Sequence, residues 1–480
     1  MHESELKAGD SIYFMGIGGT GMAAVAGLCQ QAGLKVSGSD QKLYPPTSTM
    51  LEELGIDVSS PYAEENLPAD ADMVVVANVL SRGHVEIEKL LSSEKPYTSF
   101  AKLLGERFLS ERTPVVVAGT HGKTTTCSLT AHLLESLGKE PGFFIGGLPR
   151  NFSQGFRLGK GEYFVVEGDE YDTAFFDKGP KFLHYRPRYL IVNNIEFDHA
   201  DIYKDVEAIK AQFGKLIDLV EDKKNIIANV DDKNVEALLR EKGLYDQVTK
   251  VSTLGSCGDA SFRTVEIQNS KTSPALTVIS YDTPFGPLEV ETSLSGAHNA
   301  GNILQAVAFA WLIEPSLSTR ELRAAFKSFL GVKRRLDLLA DVNGIEVYED
   351  FAHHPTAMQM VIDGFRKKHP EKRLLVCSEW RSAIQRRNVM LEDYASVLKA
   401  PDRVFLGELF VDKRIPDADR MDIGKLRNKI GGSAESFETN ADLLAALRAE
   451  VKEGDAVIFM SSGSFSGIQY EFSESLKKGL

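Results

Sequence analysis

The chain has 480 residues, 43% of them hydrophobic, and 55 basic against 68 acidic side chains give a formal net charge of −13. That length suits about three domains, and the acidic balance argues against a nucleic-acid partner. The four scattered cysteines, Cys29, Cys127, Cys257 and Cys377, form no Cys-x-x-Cys pair, which argues against a disulfide framework or a zinc site and fits a reducing cytosol.

No stretch approaches the ~20 apolar residues of a membrane span, and the polar first residues carry no targeting segment, so a soluble, cytoplasmic protein is expected. The first strand is predicted over residues 11–15. A glycine-rich turn follows at 16–21, then a helix over 22–31, a strand over 34–39 ending at Asp40, and a strand over 73–77. Alternation of this kind predicts a parallel α/β sheet. The turn reads Gly16-x-Gly18-x-x-Gly21, with Asp40 about twenty residues on, the spacing of a dinucleotide fingerprint. Its geometry suits any pyrophosphate, NAD included. The polar run 109–113 closes this unit, so residues 1–112 are taken as a Rossmann-like domain.

A second unit, 113–330, opens with a strand over 114–118. It runs into Gly119-Thr120-His121-Gly122-Lys123-Thr124-Thr125-Thr126. A buried strand, a glycine turn, Gly-Lys-Thr and a helix are the parts of a phosphate loop: amides face phosphate oxygens, the lysine reaches the β- and γ-phosphates, and Thr124 can ligate Mg²⁺. Val117 stands where a full Walker motif has glycine. With ATP held here, a UDP-type diphosphate is favoured over NAD at the N-terminal turn. Strands are predicted over 163–166, 189–193 and 225–229. Glu167 ends the first of these, and Asn194-Ile195-Glu196-Phe197-Asp198-His199 follows the second. Strand-end acids and a histidine beside a phosphate loop can bind Mg²⁺. Short β-type runs between 250 and 293, such as 275–280, predict an antiparallel appendage.

Ser295-Gly296-Ala297-His298-Asn299-Ala300-Gly301-Asn302 opens a helix. Asn299 and Asn302 share a face there, suited either to an adenine edge or to capping. Lys333-Arg334-Arg335 follows Gly331, where the third unit, 331–480, begins. A basic hinge facing phosphate would stabilise developing charge. Strands are predicted over 346–348, 373–377, 403–406 and 456–460, with a helix over 443–451. The first ends in Tyr348-Glu349-Asp350-Phe351-Ala352-His353-His354-Pro355. The second ends in Ser378-Glu379-Trp380-Arg381-Ser382, whose arginine can clamp a carboxylate. The whole reads as three α/β domains around a central P-loop ATPase with a mainly parallel sheet.

Taken in order, Gly-x-Gly-Gly-x-Gly-Met, Gly-Thr-His-Gly-Lys-Thr-Thr-Thr, a strand-end Glu, His-Asn-x-x-Asn, Arg-Arg and Asp-Phe-Ala-His-His-Pro-Thr resemble the Mur ligase family over nearly the whole chain. More specific segments are Tyr44-Pro45-Pro46-Thr47-Ser48-Thr49, Pro141 to Gly147, Glu170 to Lys178 and Asn193 to Asp201. They resemble the branch that joins UDP-N-acetylmuramate to the murein tripeptide L-Ala-γ-D-Glu-meso-diaminopimelate in peptidoglycan recycling. The alternative is the branch that adds L-alanine. The chain departs from the branch's pattern at Arg82-Gly83-His84-Val85, Glu379-Trp380-Arg381-Ser382 and Ser461-Ser462-Gly463-Ser464.

The resemblance implies an ATP-dependent carbon–nitrogen ligase of the bacterial cytoplasm. Its substrates would be ATP, UDP-N-acetylmuramate and the tripeptide, with no nucleic acid, membrane or obligate protein partner. It implies catalytic roles for Lys123, Glu167, His199 and Arg335. ATP would be held by Gly119, Thr120, His121, Gly122, Lys123, Thr124, Thr125, His298, Asn299, Asn302, Arg335 and Asp350, with Mg²⁺ on Thr124, Glu167 and His199. The UDP-sugar would lie on Gly18, Gly19, Thr20, Gly21, Met22, Ser39 and Asp40, and the peptide on His354 and Arg381. An NAD-dependent oxidoreductase leaves Gly122-Lys123-Thr124 without a purpose, and a P-loop motor leaves the N-terminal glycines without one.

Overall fold

The computed structural model describes residues 2–44, 47–271, 273 and 276–479. The segment 44–49 therefore lies partly outside the described residues, at Pro45 and Pro46, as does Ala275 of the predicted run 275–280. Among the described residues no helix is long and apolar enough to cross a membrane.

Among the described residues three large sheets carry the chain, beside a two-stranded one of Asp172–Ala174 and Asp177–Pro180. The first has five parallel strands in the order Asp57–Ser59, Lys35–Ser39, Ser11–Met15, Met73–Val76, Tyr97–Ser99. Ile12, Phe14 and Met15 are wholly buried, as an apolar run covered on both faces requires. Chain order reverses across Ser11–Met15, the place where open α/β sheets form their binding crevice. The helix after it, Thr20–Gln31, begins two residues before the expected start because extended Gly19 caps it.

The second sheet has ten strands. Its centre is Thr113–Ala118, flanked in parallel by Tyr189–Val192 and Tyr163–Gly168. Register decides what the phosphate loop meets. Val117 pairs with Glu167, and Ala118 pairs with both Gly168 and Val192. The loop after Ala118 thus emerges between Glu167 and the Asn193–His199 segment. On the far edge, Phe262–Asn269, Thr277–Asp282 and Leu288–Thr292 pair antiparallel, which is the expected appendage. Helices Lys123–Ser136 and Ala297–Ile313 are buried on most of their surface and pack together.

The third sheet has six strands in the order Asp337–Val342, Ile345–Asp350, Ala456–Met460, Leu374–Trp380, Arg403–Leu409, Ala434–Ser436, parallel except for the first hairpin. The strand expected over 373–377 runs on to Trp380. That indole is completely buried against Tyr394, ring centroids 5.0 Å apart, and the packing holds Ser378-Glu379-Trp380 extended. The hinge is bonded rather than loose: Lys333 N–H donates to Leu148 C=O and Arg150 N–H to Gly331 C=O, each at 2.9 Å.

Candidate active site

The N-terminal turn is built from backbone. Gly16 has φ +80°, and the amides of Gly16 and Ile17 donate to Ser39 C=O at 2.9 and 3.0 Å. Gly18 N–H donates to Asp40 Oδ2 at 2.8 Å. A Cβ on Gly18 would lie 2.6 Å from Leu43 Cδ2 and 2.7 Å from Asp40 Oδ2, so a larger residue would have to displace both side chains. Gly19 caps the helix without a side-chain bond, which leaves the first-turn amides after it without helical partners. Ser39 donates inward to Glu86 at 2.5 Å and Met22 is buried. These two support the turn; Gly18, Gly19, Thr20 and Gly21 form its rim.

The phosphate loop is held by side chains. Gly119 (φ +148°) and Gly122 (φ +79°) carry the turn. A Cβ on Gly122 would meet Asn302 Oδ1 at 2.7 Å and Asn193 Nδ2 at 2.8 Å. Thr120 and His121 were expected to offer amides to phosphate. Both amides are already engaged by Asn194, through its C=O at 3.2 Å and its Oδ1 at 2.8 Å. The amides of Lys123, Thr124 and Thr125 have no partner within the helix, whose first bond runs from Thr126 to Gly122.

Thr124 Oγ1 donates to Glu167 Oε1 at 3.0 Å and accepts from Arg335 Nη2 at 3.1 Å. Adjacent ligands around Mg²⁺ with bonds of about 2.1 Å lie about 3 Å apart, so this oxygen pair fits the ion. His199 does not join them. It forms a separate compact cluster with Asp169 and Glu170, 3.5 Å from Glu170 Oε1. Burial lowers its pKa, but Glu170 and Asp198 outweigh that and raise it to about 9. The ligand atoms of Asp169, Glu170 and His199 all lie within 4.8 Å of one another, a spacing that can hold a metal ion once His199 gives up its proton. Lys123 Nζ donates to Glu170 Oε2 at 2.8 Å. Burial opposes its charge, yet Glu170, Asp169 and Glu167 hold its pKa above the ordinary lysine value.

Two of the three adenine candidates are engaged within the protein. Asn299 donates to Ser295 C=O at 2.8 Å, a capping bond, and Asn302 donates to Asn299 Oδ1 at 3.2 Å while accepting from Thr126 Oγ1 at 3.1 Å. Asn302 is buried under the loop, so it offers no free edge to a base. Burial, with Arg335 nearby, lowers His298 to about 4, so its ring is neutral.

From the third domain, Arg335 reaches the loop while its neighbour turns away. Arg334 donates to Glu349 at 2.8 Å and to Ser461 C=O at 2.9 Å. Left-handed φ values at Arg334 (+60°) and Leu336 (+47°) make the turn that separates the two arginines. Buried Asp350 fixes that turn by accepting from Leu336 N–H at 2.6 Å and Ala352 N–H at 2.7 Å. It supports Arg335 and is itself turned inward. His354 was expected at the peptide, and the structure corrects this. It is 3% exposed, caps helix Pro355–Lys368 by accepting from Thr356 N–H at 3.3 Å, and bonds Phe197 C=O through Nε2 at 3.1 Å. No polar atom is left for a substrate. Arg381 is partly exposed, its guanidinium 4.4 Å from the Phe410 ring centroid and 4.0 Å from Glu379. Asn193, Asn194 and Glu170 were quoted within motifs but given no roles, and Asp169 was not singled out; their signal was position at strand ends beside the loop.

Residues 11–112 match the Mur ligase family catalytic domain, 117–310 the Mur ligase middle domain and 334–463 the Mur ligase glutamate ligase domain. The chain is 36% identical over 480 residues to an Escherichia coli (strain K12) protein named UDP-N-acetylmuramate–L-alanyl-γ-D-glutamyl-meso-2,6-diaminoheptandioate ligase, covering 97% of this chain and 98% of the relative. The chain belongs to the Mur ligase family. Among solved structures, the murein peptide ligase of Psychrobacter arcticus 273-4 has a TM-score of 0.74 at 33% identity and covers 98% of this chain and 99% of its own. A UDP-N-acetylmuramate–L-alanine ligase of Neisseria gonorrhoeae is 32% identical over 470 residues, 95% of this chain and 96% of the relative. As a Mur ligase, the protein is an ATP-dependent enzyme that forms carbon–nitrogen bonds.

Proposed function

We propose that the enzyme joins UDP-N-acetylmuramate to the tripeptide L-alanyl-γ-D-glutamyl-meso-diaminopimelate in the bacterial cytoplasm, where ATP is supplied, as a step of peptidoglycan recycling. The observation that carries this reading is that Thr124, Glu167 and Arg335, from two domains, meet at the ends of two neighbouring strands, with Lys123 beside them on Glu170. The higher sequence identity to a relative named for this tripeptide, 36% against 32% for the L-alanine ligase, supports it over L-alanine addition.

A carboxylate does not acylate an amine at neutral pH, because its oxygen leaves poorly. The sugar's lactyl carboxylate first attacks the γ-phosphorus of ATP, and ADP leaves. The peptide's α-amine then attacks the acyl carbon, inorganic phosphate leaves, and the ammonium loses a proton. Both steps gather negative charge, which Lys123 and Arg335 are placed to stabilise. Lys123 would exchange Glu170 for a phosphate oxygen. Thr124 and Glu167 would hold Mg²⁺, which when bound would neutralise phosphate charge. The first-turn amides of Thr20, Gly21 and Met22 would take the UDP diphosphate, whose position sets the carboxylate against ATP. Asp40 orients that turn.

The test is phosphate release from ATP with Mg²⁺, with and without UDP-N-acetylmuramate, offering tripeptide or L-alanine. Release is expected only with the UDP-sugar present and with the tripeptide as acceptor. Equal release without the sugar, or faster turnover with L-alanine, would overturn the reading.

A further inference from the structure

One carboxylate outside the nucleotide-holding set touches two domains at once. Glu196 Oε2 accepts from His121 Nε2 at 3.1 Å and from Thr356 Oγ1 at 2.7 Å. His121 belongs to the phosphate loop, and Thr356 to the first turn of Pro355–Lys368 in the third domain. The backbone of Glu196 grips the loop as well, its N–H donating to Thr120 Oγ1 at 2.8 Å. Beside it, the third domain's His354 bonds Phe197 C=O at 3.1 Å, and its ring lies 4.8 Å from that of His121. Burial pushes Glu196 up, but His121 and Thr356 bring it to about 2, so at neutral pH it is a carboxylate that can only accept.

We propose that Glu196 is a positioning residue that makes the pose of the phosphate loop depend on docking of the third domain. With Thr356 docked, two donors converge on one carboxylate oxygen and fix where it holds His121. With the third domain displaced, one of those donors is gone, and the carboxylate and the His121 ring are held on one side only. Charge-assisted bonds are the stronger class, so the loss is felt in the loop. ATP would then be held in its reactive pose only when the domain that brings the second substrate is seated. This rests on the ligase reading for its purpose, while the coupling itself can be measured on the chain alone.

The experiment is a double-mutant cycle in the full-length protein with Thr356→Val and His121→Ala, read as ADP affinity by calorimetry and as kcat of ligation. Thr356→Val, in the third domain, is expected to weaken ADP binding about fivefold and to lower kcat about tenfold, with the KM for the UDP-sugar unchanged. The double variant should be no worse than His121→Ala alone. Glu196→Gln, which keeps the shape and one acceptor, should reproduce the Thr356→Val effect and guards against a misfolded variant. Wild-type ADP affinity in Thr356→Val, or single effects that simply multiply, would overturn the role of Glu196. Coupling seen in ADP binding without ligation of the tripeptide would instead count against the ligase reading and leave Glu196 standing.

Discussion

The turns after Met15 and after Ala118 begin alike and are held differently. Each follows a buried parallel strand, needs glycine and opens a helix. The first is held by the Ser39 carbonyl and by one side chain within its own domain, Asp40. The second is braced by Asn193, Asn194, Glu196 and Asn302, touches Glu167 and Glu170 through its Thr and Lys, and is reached by Arg335 from the next domain. The difference fits the tasks proposed for the two turns. A turn that only seats a diphosphate needs amides and a helix terminus. A turn that transfers a phosphoryl group must hold charge in a fixed frame and sense whether its partners are in place.

The most severe way to separate the two is Lys123→Ala. On the proposed mechanism it removes the cation that would stabilise the transferred phosphate, and ligation should fall by about 10²–10³-fold or more. Calorimetry should show UDP-sugar affinity unchanged, because the first turn shares no side chain with the second. Loss of both ligands in a folded variant would mean that the turns are not independent.

The mirror experiment is Gly18→Ala. The new Cβ must displace Asp40 and Leu43, at the expense of the 2.8 Å bond from Gly18 N–H to the carboxylate. Loss of a bond to a charged group is worth roughly 1.5–3 kcal/mol, so the UDP-sugar Kd should rise by about tenfold or more. ADP affinity should stay at its wild-type value. A matching fall in ADP affinity would refute the separation from the other side.

How far these sites were legible differs along the same line. Backbone-built features announce themselves through glycine spacing and strand–helix order, so the first turn, the loop and the order of strands could be read directly. Side-chain braces could not. Asn302 sits one helical turn from His298, and spacing alone could not tell an amide wedged under Gly122 from one facing a base. His354 looked like a ligand because it is polar and follows a strand; its burial as a helix cap depends on Phe197, 157 residues away in sequence. His199 and Glu167 are both strand-end groups, and only register and side-chain direction send one to Glu170 and the other to Thr124. Trp380 extended its strand past the expected end because its indole packs in the core against Tyr394, a fact of packing that no local pattern carries.

The third domain offers a milder contrast, at Arg381. Its guanidinium packs over Phe410 and against Gly463, whose hydrogen a Cβ could not replace without meeting Arg381 at 2.4 Å. A planar fork held this way can bond a peptide carboxylate with two parallel N–H groups, and an ammonium cannot copy that geometry. Arg381→Lys should raise the peptide KM by about tenfold and leave the KM for ATP alone. An unaltered peptide KM would place the carboxylate elsewhere, with Arg386 and Arg387 the next residues to vary.

The smallest effect concerns acid, and it should belong to the braced turn alone. His354 is buried at the edge of that turn, and burial together with His121 lowers its pKa from the ordinary 6.5 to about 4. Below pH 6.5 the unfolded chain therefore binds a proton that the folded chain refuses. Stability from this group is fully present above pH 6.5 and is lost as the pH falls toward 4. At pH 5.5 the loss is on the order of 1 kcal/mol, since a full pH unit across such a gap is worth about 1.4 kcal/mol. His354→Asn keeps a side chain that caps helices well and removes the titration. Its melting temperature should therefore drop less than that of the wild type between pH 6.5 and 5.5, by about 1–2 °C. The measurement is a pair of thermal melts at each pH. Parallel acid slopes in the two proteins would show that His354 gains its proton without strain, and that the contacts around the phosphate loop give way on protonation more readily than their burial implies.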